Sequence, residues 1–448
     1  MKKTPTILVL LLVSLFINAQ DLTIPKHIKD HIKARVANDY NVGIVVALIN
    51  GSDVSYYNYG KTAITNGTDV DQNSVFEIGS ISKVFTTLIL ADKIKKGDLS
   101  LDDPISKYLP DTLTVPSFND EVITLRHLAT HTSGLPRMPS NFAPKDMTNP
   151  FADYTNELLY AFLSDYQLTS IGIKSEYSNV GMGLLGHILE LQSGKTYEEL
   201  VVETISKPLK MDHTAVIISE AMSNHLAKGH AGTTEVANWD FKSMAGAGGL
   251  KSNARDMVTF MQANMGVLDT DLYDAMQLTQ QSAFKDTNSD AEIGLAWHYE
   301  DDNKIIWHNG QTSGYHCFAG FIKGTDKGVV LLTNTSENVG AIGFNILGMS
   351  KTLEVIKVAV VIAPEILEAY AGKYELAPNV ILGVTTKDGH VFAQLTGQSL
   401  FEIYASGENT FYYKVVKATV KFNTNDDGEI DSLTLFQNGQ VVPGKKIE

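Results

Sequence analysis

The stretch Phe76-Glu77-Ile78-Gly79-Ser80-Ile81-Ser82-Lys83 decides how the rest of the chain is read, because it supplies a nucleophile and a base to activate it. Ser80 and Lys83 stand three apart at the head of an apolar run, Val84, Phe85, Leu88, Ile89 and Leu90, whose spacing predicts a helix packed into a core. That spacing puts hydroxyl and amine on one face. Serine is a poor nucleophile at its own pKa, and a lysine among apolar neighbours loses its proton more readily than one in water. Unpaired backbone N–H groups at the helix start can hold the oxyanion formed when a carbonyl is attacked. A serine that merely caps a core helix fits this stretch equally well. A second Ser-x-x-Lys, Ser282 to Lys285, lies in a mostly polar segment and is read as a chance match.

With 448 residues, 44% of them hydrophobic, the chain is long enough for a large core and more than one domain. Lys2 and Lys3, the apolar run Ile7 to Ile17 and then Asn18-Ala19-Gln20 have the three parts of a secretory signal peptide, so residues 1–19 are expected to be removed. The run is short for a membrane span. Cys317 is the sole cysteine, which excludes an internal disulfide. A periplasmic or secreted protein without a membrane span is expected. The formal net charge of -15 becomes -17 once Lys2 and Lys3 are removed, which argues against nucleic acid as a partner.

Ile24 to Tyr40 reads as an amphipathic helix, with His27 and His31 on a solvated face rather than forming a metal pair. Gly43 to Asn50 and Val54 to Tyr59 read as a hairpin. Ile123 to Thr130 is helical, and His127 and His131, with no acid in view, are expected to be hydrogen-bonded structural histidines. Helical patterns recur over Asn156 to Leu163 and Met182 to Leu191. Between them Tyr177-Ser178-Asn179 is placed on a loop, where Tyr177 can relay a proton and Asn179 can hold a substrate amide while bonding Lys83. Locally, a buried tyrosine with a satisfied hydroxyl is the simpler account.

Ala245 to Leu250 reads as a flexible turn and lacks the Lys-Ser/Thr ending of a phosphate-binding loop. A helix follows over Ala254 to Met265. Leu295 to Tyr299, Lys304 to His308, Tyr315 to Ile322 and Gly328 to Thr333 read as antiparallel strands. Within them lies His308-Asn309-Gly310-Gln311. Gly310 would let the backbone approach a ligand closely and the Gln311 N–H could then serve as a second oxyanion donor, but on local sequence a plain Asn-Gly hairpin turn is the favoured reading. A helix over Val339 to Val358 is expected to close the first domain. Beyond Ala363-Pro364 short strands follow with frequent turns, the pattern of a small antiparallel barrel or sandwich. Asn423 to Gly428 mimics a calcium loop, but Thr434 stands where its glutamate is needed, so a turn is expected.

Taken together, Ser80-Ile81-Ser82-Lys83, Tyr177-Ser178-Asn179 and His308-Asn309-Gly310, in this order, resemble the three active-site motifs of the class C β-lactamase and penicillin-binding serine hydrolase family. Leu101 to Pro104, Leu125 to Leu128, His131 to Pro136 and Ala247 to Leu250 also look like stretches of that family. The resemblance covers roughly residues 24 to 358. It implies an α+β fold, an antiparallel sheet flanked by helices with a helical insertion, in a domain spanning 20–362. It further implies that Ser80 is acylated, that Lys83 and Tyr177 share the proton transfers with the base left open, and that water releases the acyl group. Asn179, His308, Gly310 and Gln311 are then substrate-binding, and no cofactor or metal is expected. Residues 363–448 resemble the small lipocalin-like barrel attached to some members.

One departure bears on substrate. Where β-lactamases of this class usually carry Lys-Thr-Gly, this chain has His308-Asn309-Gly310, and a neutral imidazole attracts a carboxylate less than an ammonium does. The expected substrates are β-lactams or D-amino-acid peptides derived from peptidoglycan. The alternatives are a carboxylesterase and a penicillin or peptidoglycan sensor that stays acylated.

Overall fold

Residues 22–286, 292–378, 380–396, 400–414 and 416–447 are described by a computed structural model. The expected signal peptide lies outside them. Five helices and eight strands position the site: α1 (Lys26–Ala37), β1 (Gly43–Asn50), β2 (Asp53–Gly60), α2 (Ser82–Lys95), α3 (Asn179–Ser193), α4 (Ala254–Met265), β3 (Phe284–Lys285), β4 (Glu292–Ile293), β5 (His298–Glu300), β6 (Ile305–Gln311), β7 (His316–Ile322), β8 (Lys327–Thr333) and α5 (Gly340–Ile346).

The eight strands form one antiparallel sheet in the order β2-β1-β8-β7-β6-β5-β4-β3. Strand β1 is nearly all apolar because it is central and both its faces are covered. Val45, Ala47 and Ile49 point into the core shared with α2 and α4, while Ile44, Val46 and Leu48 pack with Ile28 and Ile32 of α1 and Ile342 of α5. The two-residue alternation of a strand thus serves two helical layers at once.

Helix α2 is buried from Ser82 to Asp92, with Phe85 stacked on Phe260 of α4 at a centroid separation of 4.1 Å. A helix apolar on all sides belongs inside a large domain, and each fully buried Leu or Phe contributes roughly 1.5–3 kcal/mol. That burial fixes the helix that carries Lys83.

Three expectations are corrected. The helix expected over Val339 to Val358 stops at Ile346, because Gly348 turns the chain at φ +90° and the β-branched residues after it favour extended backbone. Residues 349–363 run without regular structure to the second domain. The solvated face assigned to His27 and His31 holds only for His27, since His31 is half-buried with its Nε2 enclosed. Ala245–Gly248 is a helical turn, not a flexible one.

Beyond 363 eight antiparallel strands close into a barrel. Its interior is filled by side chains, among them Tyr370, Phe411 and Phe422, whose rings lie 4.6 to 5.5 Å apart. Asn425 accepts from the backbone of Asp427 and Glu429, which makes that stretch a turn. Among the described residues no cluster of ligating side chains suits a metal ion, and no helix is long and apolar enough to cross a membrane.

Candidate active site

Strand Val75–Glu77 pairs with Lys251–Asn253 and delivers the chain into the site. Gly79 then takes φ +48°, a conformation that side chains resist, and a single 3-10 turn, Gly79–Ile81, places Ser80 just ahead of α2. Ser80 is therefore not the helix cap. Ser82 ties this junction instead: its hydroxyl donates to Gly79 O at 2.7 Å and accepts from Leu250 N at 3.0 Å.

One turn on, Lys83 is fully buried. Its Nζ lies 3.1 Å from Ser80 Oγ and 2.5 Å from the carbonyl of Ala247. Burial, aided by the nearby Arg137 guanidinium, holds the amine well below its ordinary pKa. The Ala247 carbonyl is presented by the helical turn Ala245–Gly248, which is fixed by the Thr86 hydroxyl donating to Gly246 O at 2.7 Å. Hence the amine has a lone pair to spare and an acceptor that orients it.

Tyr177 comes from the residue before the cap of α3. Ser178 caps that helix, accepting from Gly181 N at 2.9 Å and donating to Pro136 O at 2.7 Å. The Tyr177 ring lies 4.8 Å from Lys83 Nζ and 5.0 Å from Arg137 Cζ. Burial pushes its phenol up to about 12, opposed by a hydrogen bond with Ser80 and by Arg137. At neutral pH the phenol keeps its proton. Asn179 opens α3, but its side chain reaches Met138 Sδ at 3.5 Å, and the expected bond to Lys83 is not formed.

His308-Asn309-Gly310-Gln311 is not a hairpin turn. It lies within β6 and pairs with β7, Gly310 opposite Cys317, and the turn comes later, at Thr312 to Tyr315. Gly310 is required by space: a Cβ there would sit 1.8 Å from Ile78 O and 3.1 Å from Ser80 N. A Cβ on Gly79 would sit 2.7 Å from Gln311 N. The amides of Ser80 and Gln311 are thus brought to one place by two glycines.

His308 is fully buried with its Nδ1 2.5 Å from Asn309 O, while Nε2 has no partner. A carbonyl accepts only, so Nδ1 carries the hydrogen and Nε2 presents a lone pair. Burial first, then His298 and Lys83, keep the ring well below the ordinary histidine pKa.

Sequence reasoning missed His298, Arg137, Ser82 and the Ala247 carbonyl. His298 of β5 lies 4.9 Å from the His308 ring and 6.4 Å from Tyr177, centroid to centroid, and burial lowers it to about 4. No local signal marks it, since only strand pairing brings it in. Arg137 directly follows the stretch His131 to Pro136 and was available to a closer reading. His127 and His131 are hydrogen-bonded as expected: His127 Nδ1 accepts from Thr124 N, and His131 Nδ1 from Ser178 N at 3.2 Å. His131 also packs its ring 4.6 Å from that of Tyr177. The second Ser-x-x-Lys behaves differently, with Ser282 exposed ahead of the two-residue edge strand β3.

Comparison with known proteins agrees with this geometry. The Beta-lactamase family model matches residues 28–343, and a domain of unknown function, DUF3471, matches 357–445. D-alanyl-D-alanine-carboxypeptidase/endopeptidase AmpH of Escherichia coli is 29% identical, covering 66% of this chain and 80% of its own. Penicillin-binding protein 4* of Bacillus subtilis is 26% identical over 89% of this chain and 93% of its own length. The solved β-lactamase/D-alanine carboxypeptidase of Yersinia pestis superposes with TM-score 0.62 at 25% identity, over 71% of this chain and 94% of its own. With a family model spanning most of the chain and the same fold in solved relatives, this protein belongs to the Beta-lactamase family and is a serine hydrolase.

Proposed function

We propose that the protein is exported and hydrolyses D-amino-acid peptides or β-lactams through an acyl-enzyme on Ser80. The observation that carries this reading is the 3.1 Å contact between Ser80 Oγ and the fully buried amine of Lys83. Lys83, neutral through burial, takes the Ser80 proton as the oxygen attacks the carbonyl. The amides of Ser80 and Gln311 bind the oxyanion. Tyr177, a phenol at neutral pH, gives a proton to the leaving nitrogen and regains one from the water that attacks the acyl group, while Lys83 returns its proton to Ser80 as that oxygen departs.

An esterase reading is favoured by one feature, the uncharged ring of His308. In place of a cation the third motif carries a buried neutral imidazole, which removes an attraction for a substrate carboxylate and leaves a neutral ester at no disadvantage. An alkoxide leaves with less help than an amine, so esters need less of Tyr177.

The test is mass spectrometry of the purified mature protein mixed with a chromogenic cephalosporin, while absorbance follows ring opening. A transient adduct on Ser80 with sustained turnover supports a β-lactamase. A persistent adduct, with release of D-alanine from a peptide, supports a carboxypeptidase. No adduct, with hydrolysis of a simple ester, moves the function to esterase.

A further inference from the structure

Arg137 is held at the mouth of the site by the segment that carries Tyr177. Hydrogen bonds fasten the two stretches side by side: Glu176 N donates to His131 O at 2.7 Å, Ser178 N to His131 Nδ1 at 3.2 Å, Ser178 Oγ to Pro136 O at 2.7 Å and Asn179 N to Arg137 O at 3.0 Å. The last of these fixes the backbone of Arg137 itself. Arg137 is exposed, and its Cζ lies 5.0 Å from the centre of the Tyr177 ring. A cation at that distance is attracted to the ring, so the guanidinium is drawn toward the site rather than out into bulk solvent.

No acid claims that guanidinium. Among the described residues its side chain has no ion pair and no hydrogen bond, although acidic side chains outnumber basic ones 51 to 36 in the chain. Glu176, the acid next to Tyr177 in sequence, is paired with Lys174 at 2.8 Å. Contact with a ring leaves the planar fork of N–H donors without an acceptor, and that fork matches a carboxylate with two parallel bonds.

The surroundings make Arg137 distinctive. Burial holds Lys83, His131, His298 and His308 uncharged at neutral pH, whereas an arginine keeps its charge. Of these residues grouped around Ser80, Arg137 alone is a cation. Its position also says which part of a substrate it meets. Tyr177 serves the leaving nitrogen, so a cation beside the Tyr177 ring lies on the leaving-group side. In a peptide that ends one residue past the scissile bond, the carboxylate carbon stands two bonds beyond that nitrogen, about 2.5 Å away.

Resting on the acyl-enzyme reading above, we propose that Arg137 is a specificity-determining residue that binds a free carboxylate on the leaving group, the role that a neutral His308 leaves without a cation. The preferred substrate is then cleaved one residue from its C-terminal end.

A pair of thioesters tests this, because a thioester acylates a serine nucleophile whether the enzyme is a peptidase, a lactamase or an esterase. The two are hippuryl-thioglycolate, whose carboxylate is placed as in such a peptide, and its carboxamide. Thiol release is followed with a disulfide reagent, from which the buried Cys317 is shielded. Expected for the whole mature protein is a kcat/KM at least tenfold higher for the acid than for the amide, a fall in that ratio of at least tenfold in Arg137→Gln, and partial recovery of it in Arg137→Lys. A wild-type ratio near one, or an unchanged ratio in Arg137→Gln, overturns the proposal. So does an equal loss on both substrates, which would make Arg137 only a charge that tunes Lys83 and Tyr177. Cleavage of neither thioester, with no adduct on Ser80, overturns the acyl-enzyme reading and this proposal with it; equal cleavage of both leaves that reading standing and removes only the role of Arg137.

Discussion

Lys83 Nζ stands 3.1 Å from Ser80 Oγ with no solvent exposure of the lysine, so the base lies inside the core while the nucleophile it touches stays partly exposed. Ser80→Ala is expected to abolish labelling by a β-lactam or a fluorophosphonate while leaving the melting temperature near wild type. Ser282→Ala is expected to keep full labelling. Persistent label in the first variant would remove Ser80 from the nucleophile's role.

Lys83→Met separates activity from stability. Loss of a positioned base costs roughly 10²–10⁴ in kcat. The folded-state pKa of Lys83 lies well below 10.5, so between the two values the unfolded chain binds a proton that the folded one does not. Stability contributed by this group therefore rises with pH through that window, and below it Lys83 weighs against folding. The methionine variant is expected to be inactive yet to melt higher than wild type at pH 7, as read by scanning calorimetry.

Gly310→Ala tests the approach of β6 to the nucleophile turn. The added carbon meets Ile78 O, a backbone atom with little room to move. Forcing it in costs about 1–3 kcal/mol of stability, and acylation is expected to slow at least as much as removal of one oxyanion donor would, roughly 10²-fold. Gly407→Ala, where nothing lies within 4 Å, serves as the control and is expected to leave both unchanged. Unfolding in urea and the acylation rate are the measurements.

Acid should destabilise the hydrolase while its exposed carboxylates are still ionised. His31, His298 and His316 are each lowered by burial from 6.5 to about 4. A base whose folded pKa is depressed gives full stability above its unfolded value and loses it as pH falls from 6.5 toward 4, because only the unfolded chain takes up the proton there. The urea midpoint is expected to drop steeply across that window, with a smaller drop in His298→Phe. A flat profile from pH 6.5 to 4.5 would contradict buried neutral rings.

His308→Lys probes substrate choice. A cation in place of the Nε2 lone pair is expected to raise kcat/KM for a carboxylate-bearing cephalosporin relative to a neutral ester by about tenfold, the value of roughly 1.4 kcal/mol. It is also expected to lower the melting temperature, since the position is fully buried. An unchanged ratio would mean that residue 308 does not face the substrate's acid group.

Local pattern was enough for much of this protein. The apolar run after Lys83 marked α2, the short strand-like runs between turns marked the β1–β2 hairpin and the later strands, and the frequent turns after residue 363 marked an all-β domain, because residue pattern follows directly from backbone geometry. Three short motifs in order carried the family. Where the pattern misled, as with the helix drawn to Val358, apolar content outweighed the Gly348 stop and the β-branched run after it.

Only the tertiary structure decided what the motifs do to one another. Asn309-Gly310 has the local chemistry of a turn, yet pairing with β7 makes it strand, and the close packing of that strand on Ile78 is what brings the Gln311 amide to Ser80. His298 becomes a neighbour of His308 through cross-strand placement that no spacing along the chain encodes. The depressed pKa of Lys83 and the unpartnered Nε2 of His308 are likewise properties of burial by distant segments. Sequence sets which groups are available and which face each element buries; the free energy of a charge or a hydrogen bond depends on everything packed around it, and that is fixed only when the chain has folded.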